Sequence, residues 1–142
     1  MKNQAGYVAL EFVLAMGLLV LPTALILLQI PSVLEQHNRL DSVASIISNN
    51  CANNAHSISE GNSIAEASAQ REIESSTSLK HARLKQATCS FENGSIDYGQ
   101  KVTSNISIEI PGLVIPGSEF GKTWTISSSH TSYVPKYRGI ND

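Results

Sequence analysis

Hydrophobic and polar positions along the chain fall into three stretches of different period. From Tyr7 to Ile30 the sequence YVALEFVLAMGLLVLPTALILLQI is an almost wholly apolar run of 24 residues whose single charge is Glu11. As a helix rising about 1.5 Å per residue, a run of that length crosses a hydrocarbon layer of ~30 Å with some tilt. Beyond Pro31, Val33, His37, Leu40, Ala44, Ile47 and Cys51 recur at spacings of three and four, which places them on one helical face. The spacing predicts that this helix continues to about Asn50. A second helix is predicted from about Ser63 to Leu84, with Ile64, Ala67, Ile73 and Leu84 as its apolar marks. Between the two, Asn49, Asn50, Asn53, Asn54 and Gly61 read as a polar break where the chain turns back.

The last third of the chain switches to a period of two. Val102, Ile106, Ile108 and Ile110 alternate with Thr103, Asn105, Ser107 and Glu109, as a strand with one buried face requires. A preceding strand near Ala87 to Phe91 is expected to end at Asn93-Gly94, a dipeptide suited to the positive φ angles of a tight hairpin turn. Pro111-Gly112 and Pro116-Gly117 punctuate the next connection, and Trp124 to Val134, rich in Thr, Ser and Tyr, supplies a third strand. The expected fold is α+β, a small antiparallel sheet packed on the outer part of the long helix. Three short strands alone bury too little apolar surface to stand without that helix.

The apolar run reads as a membrane span. A cleaved secretory signal has a shorter apolar region, about 7–15 residues, followed by a small-x-small site, and none precedes Pro31. Lys2 is the only charge ahead of the run, so the positive-inside tendency puts the N-terminus in the cytoplasm and the residues after Pro31 outside. Pro22 and Pro31 each remove a helical hydrogen bond; Pro31 marks either a bend or the exit from the bilayer. Glu11 is the anomaly, since a charge at mid-bilayer costs roughly 2.5–3.5 kcal/mol and needs a compensating partner.

Composition narrows the remaining classes. A net charge of -2 with 15% charged residues offers neither a basic face for nucleic acid nor an acidic tail. Cys51 and Cys89 are too few for a disulfide scaffold and lack zinc spacing, leaving a single bridge or two buried thiols; outside the cytoplasm the bridge is favoured. The four histidines, His37, His56, His81 and His130, stand far apart, and no hydrolase, nucleotide-binding or metalloprotease motif occurs. His37 falls on the predicted apolar face, and His81, beside Lys80 and Arg83, on a solvated helix face. No enzymatic activity, metal or cofactor is expected.

Gly6 precedes Tyr7, and Glu11 is the fifth residue counting from Tyr7. A cut after Gly6 gives Tyr7 a new ammonium about one helical turn from Glu11, or presents it to Glu11 of a neighbouring copy. The stretch AGYVALEF resembles the processing site of the type IV pilin superfamily, in which a prepilin peptidase cuts after glycine and glutamate holds the fifth mature position. More specifically it resembles TadE-like minor pilins of the Tad (tight adherence, Flp) pilus system, the resemblance being carried by Gly6, Glu11 and Phe12. Pro22 also looks like the proline found in many such proteins, and HTSYVPKYRG, residues 130–139, is similar to their C-terminal end. The leader MKNQAG departs from the pattern in having one lysine and no basic run.

The resemblance implies a leader at 1–6, an assembly helix in the membrane at 7–30 and an extracytoplasmic domain at 31–142, helical over 31–84 and β-rich over 86–138. It implies, as partners, other pilin subunits through the N-terminal helix, the prepilin peptidase, the Tad assembly platform and the lipid bilayer. The function expected is that of a minor pilin or pseudopilin supporting pilus biogenesis, adhesion or secretion. The alternatives are a single-pass binding or scaffolding protein of the cell envelope, and a pseudopilin of type II secretion.

Overall fold

The computed structural model describes residues 4–112 and 123–136 of the chain. In order, its elements are α1 (Gln4–Asn54), α2 (Ile58–Ser75), β1 (Arg83–Phe91), a 3-10 turn at Glu92–Gly94, β2 (Lys101–Pro111) and β3 (Thr123–Tyr133). The chain is α+β, with a long apolar N-terminal helix and one antiparallel sheet in the order β1-β2-β3. It divides into two units, residues 1–35 and 36–142. Pro31, expected as either a bend or the exit from the bilayer, lies inside α1.

In the first unit, every described large apolar side chain from Tyr7 to Ile30 is exposed, and none of the apolar window is buried within the chain. By length and composition this helix is able to cross a membrane. α1 runs through Pro22 as well as Pro31. Pro22 lacks the N–H that Leu18 O would accept, and the next residue adds a local polar contact: Thr23 Oγ1 donates to Leu19 O at 3.0 Å and Val20 O at 2.9 Å.

The second unit builds its core from α1, α2 and the sheet. Leu40, Val43, Ala44, Ile47, Cys51, Ala52 and Ala55 of the first helix and its end are buried, and α1 extends to Asn54, four residues past the expected end. His37, expected on the packed face, is half exposed, with Nδ1 3.5 Å from Asp41 Oδ2. A carboxylate one turn on and open water suit an imidazole better than the apolar stripe that begins at Leu40.

α2 begins and ends earlier than its apolar marks suggest. Ser57 caps it, accepting from Glu60 N at 3.2 Å, while Glu60 Oε2 accepts from His56 N at 2.9 Å, close to the reciprocal capping arrangement. Its buried stripe is Gly61, Ala65, Ala69 and Ile73, and Ala67 points to solvent. The helix stops at Ser75, where Ser75 Oγ donates to Glu72 O at 3.1 Å and so competes for a helical carbonyl, and just beyond it Ser76 Oγ meets Ser78 Oγ at 3.2 Å. Residues 76–84 are thus not helical as expected; Leu79 is buried in a turn, His81 is exposed there, and β1 starts at Arg83, four residues before Ala87.

The small residues of α2 let it lie against β1. At Gly61 a Cβ would sit 2.8 Å from Phe91 Cε2, a ring that is itself buried. Gly61→Ala is therefore expected to destabilise the protein by about 1–3 kcal/mol even though alanine is the better helix former. Urea unfolding followed by circular dichroism reads the change, and an unaltered or raised midpoint would show that Phe91 moves aside freely.

β2 has the period the sequence predicts, with Val102, Ser104, Ile106, Ile108 and Ile110 buried and the odd positions outward. Asn93 and Gly94 do have positive φ, 57° and 66°. The tight hairpin expected at that dipeptide is not formed, however, since Phe91 pairs with Val102 across residues 92–101. A two-residue turn would set Phe91 against Ile96; the observed register instead places Ala87, Cys89 and Phe91 on the same buried face as the long apolar phase of β2. Of the next connection, Pro116-Gly117 lies outside the described residues. β3 spans Thr123–Tyr133, one residue from the expected Trp124–Val134.

Candidate functional site

Two groups of residues carry the candidate function, and each lies within its own unit. In the first, Gly6, Tyr7, Glu11, Phe12 and Pro22 all lie on α1. Tyr7 and Glu11 are four residues apart and so share a helix face one turn apart. Tyr7 is 73% exposed and Phe12 63%, and Glu11 is exposed. Among the described residues no ion pair engages Glu11. Phe12 lies beside Glu11 on the next face, and Pro22 three turns further on, so these residues line a helix surface and do not converge on a pocket.

In the second unit Cys51 Sγ is bonded to Cys89 Sγ, with 0% and 3% of the two residues exposed. The bridge joins the last turn of α1 to β1 and closes a loop that contains all of α2. Cys51 Sγ also lies 3.3 Å from Gly61 O, so the cross-link, the glycine stripe of α2 and Phe91 occupy one compact spot. Asn62 Oδ1 accepts from Cys89 N at 3.1 Å and so occupies a backbone donor on the outer edge of β1.

A polar seam between α1 and the sheet went unrecognised in the sequence. Ser104 Oγ, fully buried, donates to Ala44 O at 2.6 Å. Ser132 Oγ donates to Asn49 Oδ1 at 2.8 Å and meets Ser48 Oγ at 2.8 Å, and Ser128 Oγ bonds to Asp41. The available signal was phase: Ser104 occurs in the apolar phase of β2, and Ser128 and Ser132 share the inward phase of β3 with Ile126. The opposite face of the sheet has a shallow depression of about 470 Å³ lined chiefly by Gln86, Thr88, Asn105, Ser107, Ser127 and Ser129. Its lining is neutral hydroxyl and amide. Among the described residues no three His, Cys, Asp or Glu side chains gather to hold a metal ion.

A scan against protein-family models finds no match to this chain, and neither a curated protein nor a solved structure matches it.

Proposed function

We propose that the chain is a pilin-like subunit of the TadE-like kind, anchored in the membrane by α1 with its N-terminus in the cytoplasm, cut after Gly6 and working by assembly through that helix. One observation carries the reading. The apolar run has its described large side chains uncovered and holds, at the fifth position after a glycine, one carboxylate that no ion pair engages among the described residues. Uncovered apolar surface of that extent has to meet lipid or other helices. A buried carboxylate without a partner is costly, and an amine freed at Tyr7 of an adjacent copy is the partner that the position of Gly6 supplies. The disulfide-tied second unit is then the extracytoplasmic head, in a compartment where a bridge persists.

The reading is tested by the mass of the protein recovered from membranes of cells that also make a prepilin peptidase. The expected product lacks its first six residues and begins at Tyr7, while a Gly6→Leu variant keeps its full length. Full-length wild-type protein in those membranes would remove processing and leave a single-pass envelope protein, which binds or scaffolds through its head.

A further inference from the structure

We propose that the end of the second unit at which the chain enters it docks on the phospholipid headgroup layer, with Trp124 inserted among the lipid carbonyls and Lys80 and Arg83 on the phosphates. This rests on the membrane-anchored reading above. The register of β3 along α1 within the unit locates Trp124. Asp41 bonds to Ser128 and Asn49 to Ser132, so the helix and the strand run in the same direction. The steps agree: eight helical residues rise ~12 Å and four strand residues ~13 Å. Trp124, four residues before Ser128, therefore lies ~13 Å on the entry side of Asp41, beyond the level of His37. Trp124 is paired with Ile110 and Arg83 with Glu109 of the same strand, so the two share this end, and Lys80 lies in the turn just before β1.

The chemistry at this end suits a headgroup layer. Trp124 is 44% exposed, although Ile110 opposite it is buried. An indole with one apolar body and one N–H donor is favoured at the boundary between hydrocarbon and water. Lys85 Nζ stands 3.5 Å from Glu109 Oε1, so that carboxylate is compensated. Among the described residues neither Lys80 nor Arg83 makes an ion pair, and both are exposed. Two exposed cations at the same end of the sheet as the indole match phosphate and ester oxygens. The tether makes weak contacts sufficient. From Ile30, the end of the apolar run, to Gln36 the chain reaches at most about 20 Å even when fully extended, which holds this end beside the bilayer however the unit turns.

Trp124 is the only tryptophan, so the emission of the intact chain reports on it alone. The full-length protein is reconstituted in vesicles of phosphatidylcholine and phosphatidylglycerol, and retention after an alkaline wash is measured first. Emission is then followed with lipids brominated high on the acyl chain and with aqueous acrylamide. The expected result is retention, loss of most of the emission to the brominated lipid, and protection from acrylamide. In Lys80→Glu/Arg83→Glu the lipid quenching is expected to fall and acrylamide quenching to rise. Retained protein whose Trp124 is open to acrylamide and indifferent to the brominated lipid would overturn the docking while leaving the anchor standing. Unchanged lipid quenching in the double variant would overturn the phosphate contact. Release by the wash would overturn the anchor and the docking together.

Discussion

Replacing both bridged cysteines, as Cys51→Ala/Cys89→Ala, is expected to cost the second unit about 3–4 kcal/mol. The separation of 38 positions sets the size of the loop released in the unfolded chain. Its closure entropy amounts to roughly 4 kcal/mol, or somewhat less if the unfolded chain retains structure. Against the total of about 5–15 kcal/mol usual for a small domain, that is a large share. The loss concentrates at one place, because the bridge holds α1, α2 and β1 where Gly61 meets Phe91. Removing both residues avoids leaving a lone thiol that pairs between molecules. The midpoint of thermal unfolding in detergent, read by circular dichroism, is expected to fall by about 15–25 °C, and reduction of the wild type should approach the same value. A fall of no more than about 4 °C would mean that the polar seam and the core hold the unit without the bridge.

Legibility in the sequence followed burial closely. β2 was readable to within a residue because one face of it is fully buried, so alternation is enforced at Val102, Ile106, Ile108 and Ile110. The face of α1 from Leu40 to Cys51 was readable for the same reason, with His37 failing where burial ends. α2 was blurred because its buried stripe is Gly61, Ala65 and Ala69, residues too small to stand out by hydropathy, and Ala67 carries the same letter on the opposite face. Its start was written in Ser57 and Glu60, a local hydrogen-bond pattern that a search for apolar marks passes over. The Asn93-Gly94 turn was misjudged because local turn chemistry competes with the register that a buried strand face demands, and burial won. Which cysteine state obtains is likewise a matter of three-dimensional approach. The spacing of Cys51 and Cys89 is compatible with a bridge or with two thiols, and only the approach of their Cα atoms to 6.6 Å in the fold decides it.

The apolar stretch from Tyr7 to Ile30 obeys a different logic, since its described large apolar side chains are exposed. For a soluble domain, sequence patterns report contacts made by the chain with itself. Between Tyr7 and Ile30 the described large apolar side chains are left exposed, and so the single charged residue, Glu11, is the most informative one there. The polar seam of the second unit shows the contrast: each serine on its inward face has a partner in the same chain, as with Ser104 and Ala44 or Ser132 and Asn49. Among the described residues no ion pair engages the carboxylate of Glu11.

Glu11→Leu is therefore expected to leave membrane insertion intact, or improve it, and to abolish assembly. Leucine removes a charge that costs up to roughly 2.5–3.5 kcal/mol at mid-bilayer and less at Glu11, four residues inside the apolar run, so the anchored monomer is not weakened. In the assembled state, on the reading proposed here, the ammonium of an adjacent Tyr7 loses its counter-charge within a bundle of apolar helices. Breaking one side of such a pair typically costs 3–5 kcal/mol, since the remaining ion stays buried and uncompensated. Even a surviving deficit of about 2.7 kcal/mol would lower incorporation on the order of a hundredfold. Glu11→Gln separates charge from shape, because it keeps the length and the hydrogen-bonding oxygen and loses only the charge, so it is expected to assemble as poorly as leucine. The measurement is the amount of variant in sheared surface filaments relative to the amount in the membrane fraction of the same cells. Normal incorporation of Glu11→Gln would show that the oxygen, and not the charge, sets the register. Normal incorporation of Glu11→Leu would remove any role for this residue in assembly, leaving α1 as an anchor alone.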